Sequence, residues 1–415
     1  MPDEVPSRAA QTLGVVQGDL TTGDSAVIRG EGTPPKVTVT GAVLCRGDCM
    51  FECSLSAQSL EGDGYIVVKG DLEIRDNVKI SNGYGFHWGS HEKAQLVVEG
   101  NMKARTVDVD SKLSVGKDLE AGTVEVGGKL EVRGKTKTES IDVGGSFSSA
   151  GEVEAEDIDV GGAVNIESKV KIEKLNEGGS ARVAGGQVDD IDVGGSFSSR
   201  DSLQFRSIDV GGAVRLAGKN VGGDIDVGGV CKVEGDLEFG SIDVGGVVEI
   251  SGFGKGRDID AGGVVKVGDS LQLEGDIDVG GKVDVGGSLT AHDVDVGGSA
   301  RAKSITATAD VDVGGRIATE SGVSASRVTI GRRGEVVGPI KAREVYIGDR
   351  ARVEDVYAET IHMESRSKAR NLYAENLNIE SDCQITGEVQ YTHDLQTERN
   401  IYFAKPPQKV DRLPR

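Results

Sequence analysis

Carboxylates that recur at a fixed spacing are the most numerous groups in this 415-residue sequence with a potential for chemistry. The motif Asp-Ile/Val-Asp-Val-Gly-Gly returns about every 17 residues, and its second aspartates include Asp142, Asp159, Asp209, Asp226 and Asp243. Hard cations such as Ca²⁺ and Mg²⁺ take oxygen ligands, so a column of these side chains is a candidate cation site. Carboxylates about 5 Å apart repel by roughly 1 kcal/mol even in water. We favour the alternative, a solvated acidic face that is screened by salt.

Three cysteines and two histidines form the other candidate metal set: Cys45, Cys49 and Cys53, with His87 and His91. Imidazole and thiolate ligands suit zinc. An extended strand would leave neighbouring thiols about 13 Å apart, so a bend between them would be required. We favour small buried core cysteines instead, and we predict no resident metal and no cofactor.

Signatures of catalysis are missing from the sequence. We find no Ser/His/Asp order, phosphate loop or dinucleotide fingerprint, and His292 and His362 stand alone. Pectate-lyase-like β-helices build their sites from long loops, which this sequence almost lacks. We therefore predict that the protein is not an enzyme, with a carbohydrate-active enzyme as the least favoured alternative.

The 17-residue repeat defines the elements that position these side chains. It runs from Gly127 to Gly314 in glycine-marked copies, and its phase continues to Gly348 and beyond. Apolar residues alternate with polar ones within each copy, as in Ile141-Asp142-Val143, which is typical of a half-buried strand. Three short strands separated by glycine corners fit into one copy. The pattern predicts an all-β parallel β-helix, or solenoid, with triangular coils of about 17 residues.

Composition limits the possible partners and compartments. The 47 basic and 68 acidic residues leave a net charge of −21, which excludes sequence-independent nucleic-acid binding and argues against docking on an anionic membrane. Aromatic residues make up 4% of the chain, so the core must be thin and aliphatic. We predict no transmembrane segment and no secretory signal, and the low cysteine count favours the cytoplasm.

The repeat also predicts the domain boundaries. We expect a flexible arm at 1–35, the β-helix at 36–391 and a tail or cap at 392–415. The first coils should be irregular, with an inserted loop at 82–93, and coils should become regular from about residue 107. His87 and Trp88 in the loop, and Tyr402 and Phe403 in the tail, are the candidate contacts for a protein partner.

Coils such as 68–74 (VKGDLEI) and 242–250 (IDVGGVVEI) resemble those of the bactofilins, the polymer-forming cytoskeletal proteins. This resemblance implies a right-handed β-helix and its end-to-end polymerisation, without nucleotide, into filaments that act as scaffolds. Family β-helices are usually shorter, near six coils. We therefore predict a self-associating, non-enzymatic scaffold. The alternative is a monomeric or surface-displayed binding module that uses the acidic face or the 82–93 loop.

Overall fold

A computed structural model describes residues 3–82 and 94–414. Within these ranges the protein is all-β and forms a parallel β-solenoid of about 23 coils with about 17 residues per turn, which confirms the predicted fold class. The same ranges contain no helix that is long and apolar enough to cross a membrane.

The chain divides into two compact units, Met1–Gly211 and Gly212–Arg415. The strands of the first unit are β1 Asp3–Val5, β2 Ala10–Leu13, β3 Val15–Val16, β4 Leu20–Thr22, β5 Ala26–Gly30, β6 Lys36–Val39, β7 Ala42–Arg46, β8 Cys49–Phe51, β9 Ser54–Ala57, β10 Ser59–Asp63, β11 Tyr65–Val68, β12 Leu72–Ile74, β13 Asn77–Ser81, β14 Gln95–Val98, β15 Met102–Val109, β16 Lys112–Val115, β17 Leu119–Val126, β18 Lys129–Val132, β19 Thr136–Lys137, β20 Ser140–Val143, β21 Ser146–Ser149, β22 Val153–Val160, β23 Ala163–Ile166, β24 Val170–Glu177, β25 Ser180–Val183, β26 Gly186–Val193, β27 Ser196–Ser199, β28 Leu203–Gln204 and β29 Ser207–Val210.

The strands of the second unit are β30 Ala213–Ala217, β31 Asn220–Val221, β32 Asp224–Val227, β33 Val230–Glu234, β34 Leu237–Glu238, β35 Ser241–Val244, β36 Val247–Ile250, β37 Gly254–Gly256, β38 Asp258–Ala261, β39 Val264–Val267, β40 Leu271–Leu273, β41 Ile277–Val279, β42 Lys282–Val285, β43 Ser288–Ala291, β44 Val294–Val296, β45 Ser299–Ala302, β46 Ser304–Ala307, β47 Asp310–Val313, β48 Arg316–Thr319, β49 Val323–Ser324, β50 Arg327–Ile330, β51 Glu335–Val337, β52 Ile340–Lys341, β53 Glu344–Ile347, β54 Arg352–Met363, β55 Lys368–Ile379, β56 Gln384–Ile385, β57 Val389–Thr397, β58 Tyr402–Phe403 and β59 Gln408–Lys409.

Alternation along the strands sets the core. In β20, Ile141 and Val143 are buried while Asp142 between them is exposed. Parallel pairing with the next coil places Ile141 beside Ile158 and Asp142 beside Asp159. Because this register repeats, each inward position becomes a ladder of aliphatic side chains, and one coil completes the burial of its neighbour.

Residues 3–35 do not form the arm that we predicted. Strand β1 pairs with β4 (Asp3 beside Leu20), and β2 pairs with β5 (Ala10 beside Val27), so these residues build the first coils. The next coil is longer because a turn closed by an antiparallel bridge between Glu31 and Lys36 interrupts it. The prolines at 34 and 35 belong to that turn. This insertion shifts the phase of the repeat, so the 17-residue period is not apparent in this part of the sequence.

A second insertion lies where we predicted the 82–93 loop. Tyr65 pairs with Gln95, whereas Gln95 pairs with Lys112 at the regular spacing, so the extra residues fall between β13 and β14. Residues 83–93 of this loop lie outside the described residues. The coils that follow β14 are regular, as the sequence predicts.

Glycine pairs mark the corners because the backbones of successive coils approach closely there. A Cβ atom built on Gly161 would lie 2.5 Å from the carbonyl oxygen of Gly144 in the preceding coil. None of the Asp-x-Asp-Val-Gly-Gly glycines in the described chain has a positive φ. The close approach, rather than a left-handed backbone, therefore requires glycine at these corners.

The C-terminal residues continue the solenoid instead of leaving it. Strand β58 pairs with β56 (Phe403 beside Ile385), and β59 pairs with β57 (Gln390 beside Gln408). Leu413 and Pro414 then line the same cavity as Tyr357 and Tyr373, whose rings stack at 4.9 Å. The segment after residue 391 is thus the last coil of the second unit.

Candidate functional site

The predicted aspartate columns are present in both units. In the first unit Asp142 pairs with Asp159, and in the second unit Asp226 pairs with Asp243. Asn176 interrupts the column between Asp159 and Asp192. All five of the aspartates singled out from the sequence are exposed: Asp142, Asp159, Asp209, Asp226 and Asp243.

Near the end of the column in the second unit, burial and neighbouring like charges act together on one carboxyl. Asp312 follows Asp295 in register, and burial, followed by the nearby charges of Asp295 and Asp310, raises the pKa of the Asp312 carboxyl. Among residues 3–82 and 94–414 no group of three or more His, Cys, Asp or Glu side chains is arranged to hold a metal ion. The columns themselves therefore present a row of single carboxylates to solvent.

A different set of aspartates, two residues before the column, has a role that sequence reasoning missed. The Asp276 carboxylate accepts a hydrogen bond from the backbone N–H of Asp293 at 3.1 Å, and Asp293 accepts one from the N–H of Asp310 at 2.7 Å. The Asp258 carboxylate accepts a hydrogen bond from the backbone N–H of Asp276 at 2.9 Å, and this hydrogen bond lowers the pKa of the Asp258 carboxyl. Each of these carboxylates ties a corner to the next coil.

We expect Asp276→Ala to lower the free energy of unfolding by about 1–2 kcal/mol, because the N–H of Asp293 loses its acceptor. Asp278→Ala removes the same charge two residues away. Asp278 is exposed and stands between Asp260 and Asp295, so its loss should change stability by less than about 0.5 kcal/mol. Urea denaturation of both variants measures the difference. Equal destabilisation of the two would contradict a capping role for Asp276.

The three clustered cysteines lie in the core, as small apolar side chains do. Cys45 and Cys49 lie on either side of the corner between β7 and β8, so the bend required by the sequence exists. A thiol–thiol hydrogen bond between them raises the pKa of Cys45 and lowers that of Cys49, which also accepts a hydrogen bond from Thr22 Oγ1 at 3.4 Å. Burial raises the pKa of Cys53 to about 11. Cys53 lies at the following corner, apart from the other two.

The remaining predicted contacts are only partly placed. His87, Trp88 and His91 lie outside the described residues. Tyr402 is 57% exposed and points away from the last coil, whereas the neighbouring Phe403 is half-buried above Ile385. The two residues of this pair therefore face different surroundings.

The last coil of the second unit leaves an apolar surface open. Its inward side chains Leu395 and Phe403 are half-buried, while Leu377 and Ile385, their partners one coil earlier, are at most 2% exposed. Within the described part of the chain, β58 and β59 pair on one edge only. Strand β57 pairs with β55 on one edge, and on the other edge only Gln390 and Tyr391 pair, with β59, so the stretch that carries Leu395 has one open edge. The end of the coil thus combines an uncovered core with unpaired backbone groups.

The two histidines noted as isolated make local contacts. His292 Nδ1 lies 2.7 Å from Thr308 Oγ1, and the His362 ring stacks on Tyr346 with centroids 5.1 Å apart. Each imidazole thus contacts one side chain of a neighbouring coil, Thr308 or Tyr346.

No family model, curated protein or solved structure matches this chain. The likeness to bactofilins stays a prediction from the coils.

Proposed function

We propose that this protein is a non-enzymatic structural scaffold whose copies associate end to end through their terminal coils. The observation that carries the proposal is the half-exposed Leu395 and Phe403 on the last coil, beside strand edges that have no pairing among the described residues. Unpaired strand edges readily pair with another strand, and burial of the apolar surface makes the free energy of association more favourable.

The first coil offers a matching edge. Strands β1, β2 and β3 pair with β4, β5 and β6 and have no pairing on their other side within the described residues. A second copy that presents this edge would continue the same parallel coil stacking. We propose that these two edges meet, which extends the bactofilin-like assembly that the sequence predicts.

A cytoplasmic location belongs to the same proposal. All five cysteines are free and buried, which suits a reducing compartment. The low number of cysteines in the sequence supports the same location.

Negative-stain microscopy and sedimentation velocity of the purified chain, without nucleotide, test the assembly. We expect filaments from the native protein and none from Phe403→Asp, because a carboxylate on the open apolar surface must be desolvated on stacking. Tyr402→Asp introduces the same charge on the outward side and should leave the filaments intact.

Monodisperse monomers of native protein at every concentration would contradict the proposed function. Filaments from Phe403→Asp would show instead that copies join through another surface. Thermal melting of both variants establishes that each remains folded, so that a loss of filaments reports on the interface.

A further inference from the structure

Two thiols in contact inside the first unit have no part in the scaffold role. Cys45 lies on the inward face of β7 and Cys49 on that of β8, and both side chains are at most 3% exposed. A thiol–thiol hydrogen bond joins them across the corner between the two strands. A disulfide between them would require only that the two sulfur atoms close from this contact to about 2 Å.

A threonine from the preceding coil completes this cluster. Thr22 lies beside Cys45 and is fully buried, and its Oγ1 donates a hydrogen bond to Cys49 Sγ at 3.4 Å. The hydrogen bond from Cys45, together with the one from Thr22, lowers the pKa of the Cys49 thiol in spite of its burial. Because the thiolate is the nucleophilic form, Cys49 is the thiol that reacts first.

The corner between the two thiols is fixed by carboxylates. The backbone N–H of Gly47 donates to Asp63 at 2.6 Å, and the N–H of Asp48 donates to Asp24 at 3.1 Å. Gly47 has a φ of 90°, which glycine adopts without strain. The strands on either side are therefore held in place, and two groups held in contact react far faster than separate molecules do.

The other three cysteines are directed to different surroundings. Cys53 Sγ lies 3.9 Å from the carbonyl oxygen of Ile28, and Cys383 Sγ donates to the carbonyl oxygen of Glu364 at 3.2 Å. Burial raises the pKa of all three thiols, to about 11 for Cys53 and to about 12 for Cys231. These thiols are therefore less reactive than Cys49.

We propose that Cys45 and Cys49 are a redox-sensitive modification site, at which a hydroperoxide converts the two thiols into a reversible disulfide. The Cys49 sulfur attacks an oxygen of the hydroperoxide, the O–O bond breaks, and an alcohol (water, from hydrogen peroxide) leaves, so that Cys49 becomes a sulfenic acid. The Cys45 sulfur then attacks the Cys49 sulfur, the S–O bond breaks and water leaves. The thiols lose two electrons in total, and their two protons end in the alcohol and the water.

The position of the pair near the N-terminal edge gives a small oxidant a route to it. The first two coils, β1–β3 and β4–β6, separate the pair from that edge, and β1 and β3 have only three and two residues. Terminal elements open at a lower cost in free energy than the rest of a fold. This local opening sets the rate of oxidation, whereas the contact between the two sulfurs determines which bond forms.

Treatment of the full native chain with hydrogen peroxide, followed by mass spectrometry, tests the proposal. We expect a loss of about 2 Da, the mass of two hydrogen atoms, and recovery of the original mass with dithiothreitol. Trypsin cleaves after Arg46, between the two cysteines, so the disulfide should join two peptides that separate on reduction. Cys231 is as buried as Cys45 and serves as an internal control, which should be oxidised at least about tenfold more slowly than Cys49.

Three variants separate the roles within the cluster. Cys45→Ala keeps the reactive thiol without its partner, so we expect a sulfenic acid at Cys49 that dimedone traps, and no disulfide. Thr22→Val keeps the shape of the side chain and removes a hydrogen-bond donor, so oxidation of Cys49 should slow several-fold. Cys53→Ala is the matched control, since it removes the next thiol along the chain and should leave the disulfide unchanged.

A disulfide that includes Cys53 would overturn the proposal, and so would oxidation of Cys49 no faster than that of Cys231. A native chain that keeps all five thiols free after treatment would do the same, and this result needs no variant. Thermal melting of each variant before treatment establishes that the solenoid remains folded.

Discussion

Glu177→Val should unfold at a higher temperature than the native chain. Glu177 is 5% exposed and points into the core of the first unit, and both of its carboxylate oxygens lack a hydrogen-bond partner among the described residues. A buried polar group without a partner costs about 1–3 kcal/mol in proteins. Valine removes that cost, so we expect the free energy of unfolding to increase by this amount and Tm to rise by several degrees.

The shape of the site supports this substitution. Glu177 pairs with Val160 on one side and Val193 on the other, and both valines are at most 1% exposed. Valine at 177 would therefore continue a ladder of identical side chains without a change of backbone. Overpacking is avoided because the new side chain is smaller than the old one.

Differential scanning calorimetry and urea denaturation measure the effect, and two further variants control it. Val160→Glu places a second carboxyl in the same ladder and should destabilise the protein. Glu177→Gln keeps the shape of the side chain and leaves a polar group without a partner. Its increase in the free energy of unfolding should therefore be smaller than that of Glu177→Val. If the native chain is as stable as Glu177→Val, the buried carboxyl of Glu177 does not destabilise the protein, and the prediction is contradicted.

Gly194→Ala should be strongly destabilising. A Cβ atom at this corner would lie 2.6 Å from the carbonyl oxygen of Gly178 in the preceding coil. Backbone of the neighbouring coil must move to relieve the contact, and we expect a loss of about 1–3 kcal/mol. Urea denaturation at constant temperature measures it.

Ser196→Ala is the matched control for this corner. Ser196 lies two residues further along, is exposed, and belongs to a column in which Ala163 already occurs. Its substitution should change stability by less than about 0.5 kcal/mol. A Gly194→Ala variant as stable as this control would contradict the close-approach explanation of the glycine pairs.

Much of the fold is predictable because the repeat is strictly periodic where corners carry Gly-Gly. The period sets the coil, the alternation sets its inner face, and Asp142 beside Asp159 follows directly. The first coils escaped prediction because their strands are short and the turn at 31–36 breaks the phase. Glu177 departs visibly from the valine of the Asp-Val-Gly-Gly pattern, so a column-by-column alignment of the repeats would have singled it out.

The sequence by itself determined which residues share a column, since parallel in-register stacking transfers a 17-residue spacing directly into neighbours in space. Only the tertiary structure decided what each column does. Asp276 and Asp278 are two residues apart and are both aspartates. Asp276 accepts a hydrogen bond from a backbone N–H, because the corner directs its side chain towards the next coil, whereas Asp278 faces solvent. The open last coil likewise depends on which neighbouring strands cover it, and spacing along the chain carries no record of that.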